Sequence, residues 1–124
     1  MTNITVKESS ALNEKYYTFK HASGLTVYVF PKEMSSSYAL FTTRYGAIDN
    51  KFKLEGEKEF TCVPDGIAHF LEHKMFECEN GVDAFELFSR TGASANAYTS
   101  NTRTAYLFSA TENFYESLEY LLDF

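Results

Sequence analysis

The sequence has no tryptophan, only two cysteines and two prolines, and an excess of acidic over basic residues. Two cysteines, Cys62 and Cys78, are too few for the disulfide framework of a small secreted domain. The formal net charge of −6 argues against a nucleic-acid-binding surface, because phosphate contacts require clustered Lys and Arg. No apolar run approaches the roughly 18 residues of a membrane span, and the first residues show no signal peptide. These absences predict a cytoplasmic protein without nucleic-acid or membrane partners.

Aromatic residues, in contrast, are abundant. The chain contains 12 Phe and 9 Tyr, and 44% of its residues are apolar. Such a composition is typical of a globular protein, since disordered chains lack the aromatic residues that offset the entropy cost of ordering. At 124 residues, the chain corresponds to one domain at most.

Strand and helix patterns succeed one another along the chain. Strands are predicted over residues 16–19, 25–30, 37–47, 93–99 and 104–110, most of them rich in β-branched and aromatic residues. The charged run over 54–58 predicts the tip of an exposed hairpin. Helices are predicted from Gly66 to about residue 77, over 84–90 with Asp83 as N-cap and Gly92 as terminator, and from Thr111 onward. This order predicts an α+β fold, with helices packed on one face of a mixed or antiparallel sheet.

The last predicted helix has an apolar face but no terminating residue. Phe114, Leu118, Leu121 and Leu122 follow helical spacing, and no Gly, Asn or Pro closes the pattern before Phe124. We therefore expect residues 1–124 to be the amino-terminal part of a single domain that is truncated at its C-terminus.

The motif that carries chemistry is His69-Phe70-Leu71-Glu72-His73. His69 and His73 lie one helical turn apart on the same side of the predicted helix, so two imidazoles can bind one metal ion, and imidazole suits zinc. Glu72 lies beside that face. It can take a proton from a zinc-activated water as the water attacks a peptide carbonyl.

Incidental histidines are the alternative interpretation of this motif. The opposite side of the helix carries an apolar stripe of Ile67, Leu71, Met75 and Cys78, so the histidines are predicted to point away from it. Chance matches to H-x-x-E-H occur in unrelated proteins. However, two of the three histidines in this chain share one helical face with a glutamate between them, which favours a metal site.

Two separated segments resemble the pitrilysin/insulinase family of zinc metallopeptidases. The run over residues 66–76 is similar to the zinc helix of that family. The run over 92–100, followed by Thr102, Thr104 and Tyr106, is similar to the strand pair beside the metal. The resemblance extends from about Tyr17 to Phe124 and is strongest to small cytoplasmic bacterial members. It implies a metallohydrolase fold like that of the mitochondrial processing peptidases.

The resemblance implies a role for five residues. His69 and His73 match the two zinc histidines, Glu72 matches the general base, and Asn96 and Ala97 match the edge strand that holds an extended peptide. The main-chain groups near Asn96 and Ala97 are expected to be unpaired within the domain. For Asn96, an ordinary edge or turn residue is the alternative. The expected cofactor is Zn²⁺, and the expected partners are a peptide or protein substrate and a second homologous or identical subunit of the full-length protein.

The presence or absence of a third zinc ligand distinguishes the competing hypotheses. In the family it is a glutamate on a later helix, which would lie beyond Phe124, whereas Glu77 is a less suitable ligand because it would have to reach back over a full turn. These 124 residues alone are therefore expected to be inactive. The leading hypothesis is a zinc metalloendopeptidase. A catalytically silent structural or partner subunit is the alternative, and a metal-binding protein without peptidase activity is a third.

Overall fold

The computed structural model describes residues 4–77, 81 and 83–123, and the chain divides after Met34 into two compact units. The first unit is an antiparallel sheet of order β1-β2-β3, formed by β1 (Thr5–Ser9), β2 (Glu14–Lys20) and β3 (Thr26–Val29). The predicted hairpin is confirmed, since Tyr17 pairs with Val29. Strand β1 was not predicted, because its short and mostly exposed sequence has no clear apolar alternation.

The second unit contains a three-stranded antiparallel sheet, a small hairpin and three helices. In chain order the elements are β4 (Ser37–Thr43), β5 (Lys51–Phe52), β6 (Thr61–Cys62), α1 (Ile67–Met75), α2 (Ala84–Arg90), β7 (Ser94–Thr99), β8 (Thr104–Ala110) and α3 (Phe114–Asp123). The main sheet has the order β4-β8-β7, and β5 pairs with β6 below the exposed tip predicted over 54–58. Strand β8 is the central strand and the most deeply buried one.

All three helices cover one face of the main sheet. The core joins residues of that face with side chains from the helices and the adjoining turns, namely Phe76, Ala84, Phe88, Ala93, Tyr106, Phe108, Ala110 and Leu121. Phe88 of α2 and Phe108 of β8 are almost fully buried, and their ring centroids lie 5.7 Å apart. The predicted α+β class, with helices on one face of an antiparallel sheet, is confirmed.

The buried side of α1 differs from the predicted apolar stripe. Ala68 and Glu72 are the buried residues of this helix, whereas Leu71 and Met75 remain more than a third exposed. Leu71 and Met75 line an apolar cleft of about 220 Å³ that is also lined by Leu121 of α3. The apolar stripe is therefore not the most deeply buried side of α1. The last member of the stripe, Cys78, lies outside the described residues.

Local chemistry explains where helices α2 and α3 begin. The Asp83 side chain accepts a hydrogen bond from the backbone N–H of Phe85 (2.8 Å), which confirms the predicted N-cap of α2. Helix α3 begins at Phe114 rather than at Thr111, because Asn113 adopts a left-handed conformation with φ of 53°. The Asn113 side chain also donates to the carbonyl of Thr91 (3.1 Å), which ties the start of α3 to the end of α2.

Among the described residues, no helix is long and apolar enough to cross a membrane. The cytoplasmic location stays a prediction.

Candidate metal centre

The two histidines of the H-x-x-E-H motif meet on the exposed side of α1. Their Nε2 atoms lie 3.0 Å apart, and their ring centroids are separated by 4.8 Å. The spacing of four residues on one helix brings the rings to neighbouring turns, as the sequence predicts. Because both Nε2 atoms point at each other, His69 and His73 present their nitrogens to one common position.

This geometry fits a shared zinc ion. Two imidazole nitrogens that bind one tetrahedral zinc at about 2.0–2.1 Å lie roughly 3.3 Å from each other. The observed Nε2–Nε2 separation of 3.0 Å needs only a small opening of the ring pair to reach that distance. Neutral imidazole is also the donor type that zinc prefers. His69 and His73 therefore form a suitable pair of ligands.

Glu72, between the two histidines in the sequence, is the buried member of the motif. It is only 8% exposed, and its Oε2 atom accepts a hydrogen bond from the Thr99 hydroxyl at 2.6 Å. Burial raises the pKa of the Tyr106 hydroxyl on β8. The negative charge of the Glu72 carboxylate raises that pKa further. The base candidate is thus held between α1 and the sheet.

The strand that carries Thr99 is fixed by a tight turn. Thr99 is the last residue of β7 and pairs with Thr104 at the start of β8. The turn between them is closed by a hydrogen bond from the N–H of Ser100 to the carbonyl of Arg103 (2.8 Å). Gly46 packs against this turn so closely that a Cβ there would lie 2.5 Å from Arg103 N. The turn is therefore fixed by its own hydrogen bond and by the close packing of Gly46 against it.

A third ligand from this chain is not found among the described residues. Within residues 4–77, 81 and 83–123, no group of three or more His, Cys, Asp and Glu side chains could hold a metal ion. Glu77, the alternative weighed from the sequence, forms an ion pair with Lys74 (2.6 Å) instead. Both side chains are about half exposed or more. The part of the chain that the structure describes thus offers two histidine ligands and one base.

Asn96 and Ala97 lie on β7, at the edge of the main sheet. In the part of the chain that the structure describes, β7 pairs with β8 alone. Side chains alternate along β7, so Asn96 is exposed on the outer face and Ala97 packs against the core beside α1. The Ala97 N–H donates to the Asn96 side-chain oxygen (2.9 Å). The expectation that the main-chain groups here are unpaired was therefore wrong for this N–H, which the neighbouring side chain covers.

Sequence reasoning assigned no role to Thr99, which donates to the Glu72 carboxylate, or to Tyr106, whose pKa the charge of Glu72 raises. Thr99 is 27 positions away from Glu72 in the chain, so no local spacing signals their contact. A partial signal exists in the alternation of β7, which places Thr99 on the same side as Ala95 and Ala97.

A family model and several proteins match this chain. The model described as insulinase, peptidase family M16, matches residues 63–124. The chain is 57% identical over 118 residues to a Bacillus subtilis protein named zinc protease YmfH, covering 94% of this chain and 27% of that protein. It is 38% identical over 65 residues to a protein of Arabidopsis thaliana named insulin-degrading enzyme-like 2, covering 48% of this chain and 7% of that protein.

The fold also matches a solved structure. A crystal structure described as an M16-like peptidase from Alicyclobacillus acidocaldarius superposes with a TM-score of 0.78 at 44% identity, covering 86% of this chain and 25% of that one. The chain thus spans about a quarter of the length of this protein and of the Bacillus relative. The matched residues 63–124 include the whole H-x-x-E-H motif and the strand pair beside it. The chain belongs to the insulinase family of peptidases, family M16.

Proposed function

We propose that this chain supplies two zinc ligands and the general base of a zinc metalloendopeptidase. The observation that carries the proposal is the geometry of one helix, on which two Nε2 atoms lie 3.0 Å apart beside the buried carboxylate of Glu72. Family membership supports it, and so does the name zinc protease that a relative 57% identical to this chain carries.

His69 and His73 would hold the metal through Nε2. Zinc, when bound, supplies a Lewis acid that makes water acidic enough to lose its proton near neutral pH. A catalytic zinc site uses three protein ligands and keeps one open position. Since two histidines are the ligands found among the described residues, we propose that the third ligand comes from another part of the full-length protein.

Glu72 would accept the proton of the attacking water and pass it to the leaving amine. A carboxylate beside the ligand pair, but not one of the pair, is placed to do this without binding the metal itself. Its hydrogen bond from Thr99 keeps it on the sheet side of α1, away from the solvent-exposed face of Lys74.

A peptide substrate would add to the open edge of β7 as an extended strand. Main-chain hydrogen bonds then supply affinity, and side-chain pockets supply selectivity. Because the Ala97 N–H is covered by Asn96 Oδ1, that side chain has to rotate before the N–H can donate to a peptide carbonyl. Asn96 would then be free to bind the peptide with its own amide.

The proposal is tested in the full-length protein by comparing Glu72→Gln with Glu77→Gln. Glu72→Gln should retain zinc but lose about 10²- to 10⁴-fold in peptide hydrolysis, the usual contribution of a placed proton acceptor. Glu77→Gln is the matched control, because Glu77 is exposed and bonded to Lys74, and it should change neither zinc content nor turnover.

The same measurements identify the competing hypotheses. A zinc-loaded Glu72→Gln protein with the wild-type rate would remove Glu72 as the base. A wild-type protein that holds one zinc but hydrolyses no peptide would favour a catalytically silent partner subunit instead.

A further inference from the structure

We propose that Thr99 is a positioning residue, whose hydroxyl holds the Glu72 carboxylate in the conformation that accepts a proton. This inference rests on the proposed function of Glu72 and adds a residue to that site. It comes from one contact, the hydrogen bond from Thr99 Oγ1 to Glu72 Oε2 at 2.6 Å.

The hydrogen bond is short and joins a hydroxyl to a carboxylate. Separations of about 2.5–2.7 Å are typical of O–H···O⁻ bonds, which are stronger than bonds between neutral groups. Glu72 is 8% exposed, so water competes weakly for this oxygen. A hydrogen bond in such a partly desolvated position fixes a side chain better than the same bond at the surface.

The contact distinguishes the two carboxylate oxygens. Because Oε2 already accepts the Thr99 hydroxyl, we assign the proton of the attacking water to the other oxygen, Oε1. When Oε1 takes that proton, the neutral carboxyl group still accepts the Thr99 hydroxyl through Oε2. The same contact therefore persists before and after the proton transfer, and Glu72 need not reorient between the two states.

Thr99 is itself anchored, which is necessary if it is to position another residue. Thr99 is half-buried at the end of β7, and both main-chain groups of the next residue, Ser100, are hydrogen-bonded. The Ser100 N–H donates to Arg103 O (2.8 Å), and the Ser100 carbonyl accepts the N–H of Ala47 (2.9 Å). The Thr99 hydroxyl is thus held next to a hydrogen-bonded turn. Without this hydroxyl, the Glu72 side chain has several rotamers available.

A purely structural role is the alternative, in which the hydroxyl only joins β7 to α1. That alternative predicts that losing the bond lowers stability and affects KM, kcat and zinc content together. A positioning role predicts a loss in kcat at unchanged KM and zinc content. The two roles are therefore separable by measurement.

The experiment uses the full-length protein with Thr99→Val, Thr99→Ala and Thr99→Ser. Val and Ala remove the hydroxyl, and Ser keeps it. We expect kcat to fall about 10- to 100-fold in the first two variants, as for loss of one hydrogen bond to a charged group, and Ser to restore most of it. Thr104→Val is the matched control, because Thr104 faces Thr99 in the hairpin but its hydroxyl donates to Tyr45 O.

A second readout does not depend on activity. In crystals of the zinc-free protein, the Glu72 carboxylate should leave its position, or occupy more than one, in Thr99→Val. In Thr99→Ser it should stay where wild type has it. This comparison reports on the positioning itself, with or without a metal.

Two outcomes would overturn the inference. One is wild-type kcat in Thr99→Val or Thr99→Ala while Glu72→Gln is inactive, which would leave the proposed base intact and remove Thr99 alone. The other is an equal loss of kcat in Thr99→Ala, Thr99→Ser and Thr104→Val, which would show a structural effect of the hairpin. Failure of the proposed function gives a different result, since either Glu72→Gln would itself retain activity or the wild-type protein would hydrolyse no peptide.

Discussion

His69 and His73 direct their Nε2 atoms at each other across 3.0 Å on the exposed side of α1. Glu72, the residue before His73, lies beside this pair on the same helix but is buried against the sheet, where its carboxylate accepts the Thr99 hydroxyl. One helix thus separates two functions: the solvent side offers metal ligands, and the sheet side holds a base. Such a separation lets the base approach a metal site without becoming one of its ligands.

His69→Ala and His73→Ala should each lose zinc and, with it, all hydrolysis above background. Removing one imidazole leaves a single ligand on α1, which cannot hold the ion through a chelate. Because both side chains are exposed, the fold should survive, and the midpoint of thermal unfolding of the metal-free protein should change little. Zinc content after dialysis checks the first expectation. Retention of a full equivalent by either variant would contradict the ligand assignment.

Ala97→Pro should raise KM by about 2- to 10-fold, the effect of losing one neutral hydrogen bond to the substrate. Proline removes the backbone N–H that we propose for peptide binding, and edge strands tolerate it because the N–H is not needed by the sheet. Steady-state kinetics with a peptide substrate give the answer, and a thermal melt confirms folding. An unchanged KM in a well-folded variant would exclude this N–H from substrate binding.

Gly46→Ala should destabilise the protein by about 1–3 kcal/mol, as expected for an extra methyl group in a tightly packed site. A Cβ there would lie 2.5 Å from Arg103 N and Asn101 O, both backbone atoms that cannot move alone. Chemical denaturation measures the free energy of unfolding. Ile48→Ala is the control in the same loop, since the Ile48 side chain is 62% exposed and should contribute little. Equal stability of Gly46→Ala and wild type would mean that the turn moves freely.

Alkaline pH should destabilise the fold in part through Tyr106. Its pKa is raised by burial and by Glu72, so the unfolded chain releases this proton first, at its ordinary pKa of about 10. The stability linked to Tyr106 is therefore complete below that pH and falls as the pH rises towards the folded-state pKa. Tyr106→Phe should lose less stability over this range in denaturation experiments. The same slope in both proteins would contradict the raised pKa.

Glu72→Gln offers a second check of this contact. Removing the negative charge should lower the pKa of Tyr106, because the carboxylate is one of the two causes of its rise. The difference in tyrosinate absorbance between proteins with and without Tyr106 isolates this one group among the nine tyrosines. An unchanged titration would mean that the two groups do not interact.

Local patterns predicted the features that depend on neighbours in the sequence. The spacing of His69 and His73 was sufficient to place both rings on one side of α1, and Asp83 was recognisable as an N-cap from its position before an apolar run. The β7–β8 hairpin was likewise visible, because its two strands are separated by a short polar turn. These features follow from helix and strand periodicity alone.

The features that sequence reasoning missed depend on distant contacts. Leu71 and Met75 form the more apolar stripe of α1, yet the sheet buries Glu72, because Thr99 supplies a hydroxyl from β7 that compensates the carboxylate. The hydrogen bond from the Ala97 N–H to the Asn96 side chain depends on the rotamer of Asn96, which sequence periodicity cannot predict. The close approach of Gly46 to the turn at Arg103 is equally invisible from the local sequence.

Anomalous diffraction at the zinc edge from crystals of the full-length protein tests the central claim most directly. The account predicts one strong peak between the Nε2 atoms of His69 and His73, about 2.0–2.1 Å from each, with a third protein ligand and with Glu72 close by but outside bonding distance. A fully loaded zinc peak elsewhere in the molecule, with the two imidazoles left in contact with each other, would contradict it.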